Sequence, residues 1–152
     1  MKTLSRILRL DFLPTNVDLG LLILRGWLGL SLLLLHGWGK LSRFAEMSGH
    51  FPDPLGIGSK ASLSLATVGE VVGPALMVLG LFTRLGALLS MVTMGVAFFL
   101  QHKGVLKGPG SGELAFIYMA GFAALVVAGG GRFALDGKSG KGRASSDNKS
   151  KR

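Results

Sequence analysis

The chain has 152 residues, of which 49% are hydrophobic and only 16% charged, with a net charge of +9 and a mean hydropathy of +0.50. A typical soluble domain carries roughly 25% charged residues, so the composition describes about one domain of a membrane protein. The cysteine count of zero excludes disulfide frameworks, thiol nucleophiles, CxxC redox pairs and cysteine-ligated iron–sulfur clusters.

Residues 1–18 form a basic amphipathic leader, RILRLDFLPTNVD being its distinctive part. It is read as a cytoplasmic segment. No small-residue cleavage site follows the first apolar block, so a secretory signal peptide is not expected. Four apolar blocks come next. Leu19–Leu35 extends toward Trp38, Ala61–Phe82 is the second, Leu85–Leu100 the third and Leu114–Ala128 the fourth. Each approaches the ~20 residues that cross a bilayer as a helix, and Trp, Tyr, Lys and Arg flanks extend the shorter ones into the interface. Leu, Ala and Gly dominate and period-2 alternation is absent, which argues against strands. The expected fold is all-α: a four-transmembrane-helix antiparallel bundle over residues 19–136, with spans near 19–38, 61–82, 85–101 and 114–130. Residues 137–152, Gly/Ser-rich and basic, are expected to be a disordered cytoplasmic tail.

The positive charge tempts a nucleic-acid reading, but its placement opposes one. The tail holds +5 of the +9, and the other basic residues flank apolar blocks, as lipid head groups and topology signals require. Four spans put both termini on one side. That side receives eleven Lys/Arg and the other five, with Arg25 left within the first span. Both termini are therefore expected in the cytoplasm of a cell with a bacterial-style inner membrane.

Arg25 interrupts the leucines of LGLLILRGWLGLSLLLLHGWGK. A lone charge at mid-bilayer is costly, so Arg25 should face the bundle interior and find a partner. The second span carries one acid, Glu70. With the first span ending at Leu35 and the second starting at Ala61, both lie about 14–15 Å from the outer edge. An intramembrane Arg25–Glu70 ion pair is expected, with a structural role in helix register weighed slightly above a ligand or proton site. Gly69 and Gly73 bracket Glu70 as GxxxG, a face that lets another helix approach closely.

A second cluster is expected at the outer mouth. His36 shares a helical face with Arg25, Lys40 follows one turn later, His102 ends the third span and Glu113 begins the fourth. Together they are a candidate ligand or quinone site. Two histidines in a bundle raise haem or metal ligation, but each sits at a helix end and no HxxH or HxxxH spacing exists. No metal site is therefore assigned, and haem is disfavoured. His50 carries no signal of its own. The P-loop pattern and GxSxG are absent.

The residues so far, in order, resemble the DoxX family of small membrane proteins. The likeness runs through Arg25, Gly29 and HGWGKL (His36–Leu41), then EVVGPALMVLGLFTR from Glu70 to Arg84. It continues through GELAFIY (Gly112–Tyr118) and GGGRFALD (Gly129–Asp136). The resemblance implies a four-helix fold and an association with membrane oxidoreductases, originally a subunit linked to thiosulfate:quinone oxidoreductase or quinol oxidase. The leading expectation is a membrane subunit or accessory factor of a quinone-linked oxidoreductase. It would work with bound quinone, partner oxidoreductase subunits or a homo-oligomer. Two alternatives stand beside it. One is a small transporter or channel for an anion or metabolite that uses Arg25 and Glu70. The other is a membrane scaffold or assembly protein.

Overall fold

The computed structural model describes residues 7, 8, 10, 12 and 14–136; the expected tail and most of the expected leader lie outside them. Every regular element among the described residues is helical. Helix α1 spans Val17–Ser42, α2 Phe44–Met47, α3 Ser59–Leu79, α4 Thr83–Gln101 and α5 Glu113–Ala128. Helices α1, α3 and α4 are long and apolar enough to cross a membrane, whereas α5 is apolar but has 16 residues, about 24 Å. The long helices pack in a ring, α1 on α3, α3 on α4, α4 on α5 and α5 back on α1.

The ends of these helices follow from local chemistry. Asn16 caps α1, its side-chain oxygen accepting from the Leu19 amide at 3.0 Å, which satisfies one of the orphan N–H groups of the first turn. Helix α3 stops at Gly80, whose φ of +73° suits a residue without Cβ. The Leu81 amide then returns to the Leu76 carbonyl at 3.0 Å. Asp136 closes the turn by accepting from the Thr83 amide at 2.9 Å. The GGGRFALD segment is thereby tied to this end of the bundle. Its Arg132 amide also donates to Asp18, at 2.7 Å.

The interior is filled by Leu32, Met77, Phe122 and Leu125, all fully buried. Outside, the flanks are apolar as well: Trp27 is 76% exposed and Val127 83%. So much exposed hydrocarbon would drive aggregation in water and is ordinary in lipid.

Close helix approach depends on glycines at two places. Gly69 and Gly73 both face α4, where a Cβ would strike Thr93 and Ser90 respectively, and the Ser90 hydroxyl donates to the Gly69 carbonyl at 2.7 Å. The GxxxG face is thus used within the chain. Gly37 of α1 lies directly against the backbone carbonyl of Glu70, a contact any side chain would prevent. Gly37→Ala is expected to cost about 1–3 kcal/mol by overpacking, read as a lower midpoint of thermal unfolding in detergent; an unchanged midpoint would mean that the α1–α3 contact is looser than described.

Three of the long helices contain a π-turn: Leu33–Gly37 in α1, Val68–Val72 in α3 and Ala97–Gln101 in α4. The one in α3 has a visible cause. Pro74 has no N–H to give the Glu70 carbonyl four residues back, and its ring would crowd that carbonyl. Widening the preceding turn relieves both effects.

The loop before α3 is organised by Asp53. Its carboxylate accepts from the Ser62 hydroxyl at 2.6 Å and from the Gly58 and Ile57 amides at 2.7 and 3.1 Å. The Ser62 hydroxyl first, then the Gly58 amide, hold this carboxyl below the usual aspartate range. A folded-state pKa below the unfolded one gives stability that is present above about pH 4 and lost as pH falls through the folded value. The melting-temperature gap between the wild type and Asp53→Asn should therefore exist at neutral pH and close in acid. A gap that does not vary with pH would contradict this role.

Candidate functional site

The three π-turns surround one cavity of about 400 Å³, within the range of small-molecule sites. The α1 turn contributes His36, with Lys40 one turn further on; the α3 turn contributes Glu70; the α4 turn contributes Ala97. Tyr118 of α5, His102 just past α4 and Ser111 before α5 add to the polar lining. π-Turns recur at functional sites because they re-aim side chains that a regular helix would direct elsewhere.

Lys40 and Glu70 form the central pair, Nζ donating to Oε2 at 2.5 Å. Glu70 is nearly closed off, with 8% of its side chain exposed, against 18% for Lys40. Tyr118 donates its hydroxyl to the Ser31 hydroxyl at 2.8 Å, and Ser31 donates onward to the Trp27 carbonyl at 2.7 Å. The His36 ring meets Tyr118 edge to face, with centroids 6.2 Å apart. Tyr118 stacks in turn on Phe122 at 5.7 Å. His102 Nδ1 lies 2.8 Å from the Gly110 carbonyl. A carbonyl only accepts, so Nδ1 carries the proton, and in the neutral ring Nε2 is left as an acceptor. The chamber therefore offers ammonium, imidazole and phenol groups beside a carboxylate, all in an apolar bundle.

The expected Arg25–Glu70 pair is not formed. Arg25 is buried one end of the bundle away, where Nη1 donates to the Met77 and Val78 carbonyls at 2.7 and 3.3 Å and Nη2 to the Phe133 carbonyl at 3.0 Å. Two of its partners are among the last carbonyls of α3, at the negative end of the helix dipole. Arg84 makes a similar bond at the end of α5, donating from Nε to the Val126 carbonyl at 2.8 Å. The register explains the difference. α1 does not end near Leu35 but continues to Ser42. Glu70 lies opposite Gly37 and Lys40, whereas Arg25 lies against Gly80, ten residues or about 15 Å further along α3.

Of the residues expected at the mouth, His36, Lys40 and His102 do converge. Glu113 does not: it is exposed in the first turn of α5 and stays outside the lining. There it complements the positive end of that helix's dipole. Glu70 and Tyr118 were not expected in this chamber. His50 is exposed in the loop. Among the described residues no three of His, Cys, Asp and Glu come together as a metal-binding group.

A ring of apolar helices with a buried charged pair near one end defines a small helical membrane protein with one polar internal chamber. The DoxX family model matches residues 20–103, more than half of the chain, and the chain belongs to that family. The matched stretch contains Arg25, His36, Lys40, Glu70 and His102, whereas Tyr118 lies beyond it. A Haemophilus influenzae protein described as uncharacterized is 44% identical over 81 residues, covering 50% of this chain and 60% of that relative. The chain thus matches less than two thirds of that protein's length. No solved structure matches the chain.

Proposed function

We propose that the protein is a membrane subunit or accessory factor of a quinone-linked oxidoreductase, and that its chamber binds the quinone ring. The observation that carries this reading is the convergence of three π-turns on Lys40, Glu70, His36 and Tyr118 inside an otherwise apolar bundle. The residues fit the group. A quinone ring needs a slot with apolar walls and a few polar groups at its end; Leu32, Met94 and Ala97 supply walls, and Lys40 and His36 supply donors for ring oxygens. A bound quinone would supply reversible two-electron, two-proton chemistry. Glu70 holds the Lys40 ammonium in place and can accept a proton-bearing hydroxyl. Phe122 fixes the plane of Tyr118.

In this reading all four long helices cross the plasma (inner) membrane, and both termini are cytoplasmic. The eleven-to-five division of Lys and Arg supports that orientation. Interfacial anchoring by Lys107 before it and Arg132 after it would let the shorter α5 span with local thinning. The transport alternative leaned on a mid-membrane Arg25–Glu70 pair and loses that support. The scaffold alternative leaned on a free GxxxG face, which α4 already covers.

Titration calorimetry with the tailless ring, 2,3-dimethoxy-5-methyl-1,4-benzoquinone, tests the assignment. Binding to the wild type is expected, weakened about tenfold in His36→Phe, as the loss of one hydrogen bond requires. No binding, or affinity untouched by this substitution, would overturn it.

A further inference from the structure

A second cavity, also about 400 Å³, runs between α3 and α4 beside the chamber. Its walls include Leu65 and Ala66 of α3 and Val92 and Val96 of α4. Leu65 is 54% exposed and Val92 55%, so the groove opens on the apolar flank of the bundle. Phe51, Glu70 and Ala97 line both this groove and the chamber. Two spaces of opposite character therefore adjoin at these three residues.

The geometry points to the α3–α4 groove as the seat of the isoprenoid tail of a lipid-soluble quinone whose ring occupies the chamber. The inference rests on the quinone reading and adds the route: the ligand enters sideways from the hydrocarbon. Two features favour this occupant over the acyl chain of a phospholipid. The Lys40 ammonium is already paired with the Glu70 carboxylate, so a phosphate drawn into the chamber would gain no unpaired lysine or arginine there, whereas a neutral ring needs none. The Phe51–Leu55 loop, tied to the first turns of α3 through the Asp53–Ser62 bond, also lines the groove. It occupies the end through which a phospholipid would keep its head at the interface.

The test uses the full chain in phosphatidylcholine nanodiscs. The probe is the same dimethoxy-methyl-benzoquinone bearing a decyl chain that ends in a diazirine, with crosslinks mapped by peptide mass spectrometry. Label should concentrate on α3 around Leu65 and on α4 around Val92. It should fall about tenfold in Ala66→Trp, which fills the groove, while that variant still binds the tailless ring. Val92→Trp, on the opposite wall, repeats the test if Ala66→Trp does not fold. Label spread evenly over the flanks, Trp27 and Val127 included, would overturn the inference. So would a diazirine phosphatidylcholine that labels the groove and is not displaced by unlabelled quinone. Ring binding without groove labelling sinks the tail seat alone; absence of ring binding sinks the quinone reading and the tail seat with it.

Discussion

Lys40→Met is expected to lower stability by about 3–5 kcal/mol, the usual cost of leaving one member of a buried ion pair without its partner. The Glu70 carboxylate then sits nearly closed off with no cation beside it. Glu70→Leu strands the Lys40 ammonium and is expected to cost somewhat less, because Lys40 is the more exposed of the two. The double substitution removes both charges and should recover most of the loss, since an apolar pair of similar volume is often as stable as a buried salt bridge. Unfolding midpoints of the four proteins in one detergent give the coupling energy directly. Additive losses would show that Lys40 and Glu70 do not act as a pair.

Arg25→Leu is the second large effect. The guanidinium joins the end of α3 to the Phe133 carbonyl, so one side chain holds α1, α3 and the GGGRFALD segment together. Its removal leaves the partly buried Val78 and Phe133 carbonyls without that donor, while the Met77 carbonyl keeps the Gly80 amide at 3.1 Å; at about 1–3 kcal/mol for each unsatisfied group a loss of a few kcal/mol is expected. Arg25→Lys should recover only part, because an ammonium is a point donor and cannot span carbonyls from two segments as the planar fork does. Glu70→Leu in the Arg25→Leu background should add its full cost, since the two residues share no partner. Rescue of Arg25→Leu by Glu70→Leu would contradict this assignment and restore the direct pair. Proteolysis near Phe133 should also increase in Arg25→Leu; unchanged cleavage there would mean that the Asp136 and Arg132–Asp18 contacts hold the segment without it.

The helical membrane class is legible in the sequence because it depends on runs of apolar residues long enough to span hydrocarbon, and such runs are visible without knowing what packs on them. The site is legible only in part. His36, Lys40 and His102 could be grouped because helix ends in a bundle fall at common levels. The pairing of Arg25 could not, because it turned on where α1 stops. Gly37 and Gly39 look like a helix terminus in sequence. In the fold the helix runs through them, and Gly37 is small because the Glu70 carbonyl lies against it. With that boundary misplaced, the level of Arg25 on α3 falls at Glu70 instead of Gly80, ten residues or nearly three turns away. Tyr118 was missed for a different reason. It sits within the fourth apolar block, and nothing local marks that its hydroxyl will meet Ser31, 87 residues earlier. The π-turns have a sequence cause only in α3, where Pro74 follows Glu70 by four residues. No comparable signal accompanies those in α1 and α4.

The most direct test of the chamber is mass spectrometry of the protein extracted from quinone-containing membranes in mild detergent, comparing the wild type with the Lys40→Met/Glu70→Leu double variant. The double variant is the right control because it should stay folded while losing the charged groups of the site. One quinone per chain is expected on the wild type and much less on the double variant. A wild type that carries no quinone, or a folded double variant that carries as much as the wild type, would contradict it.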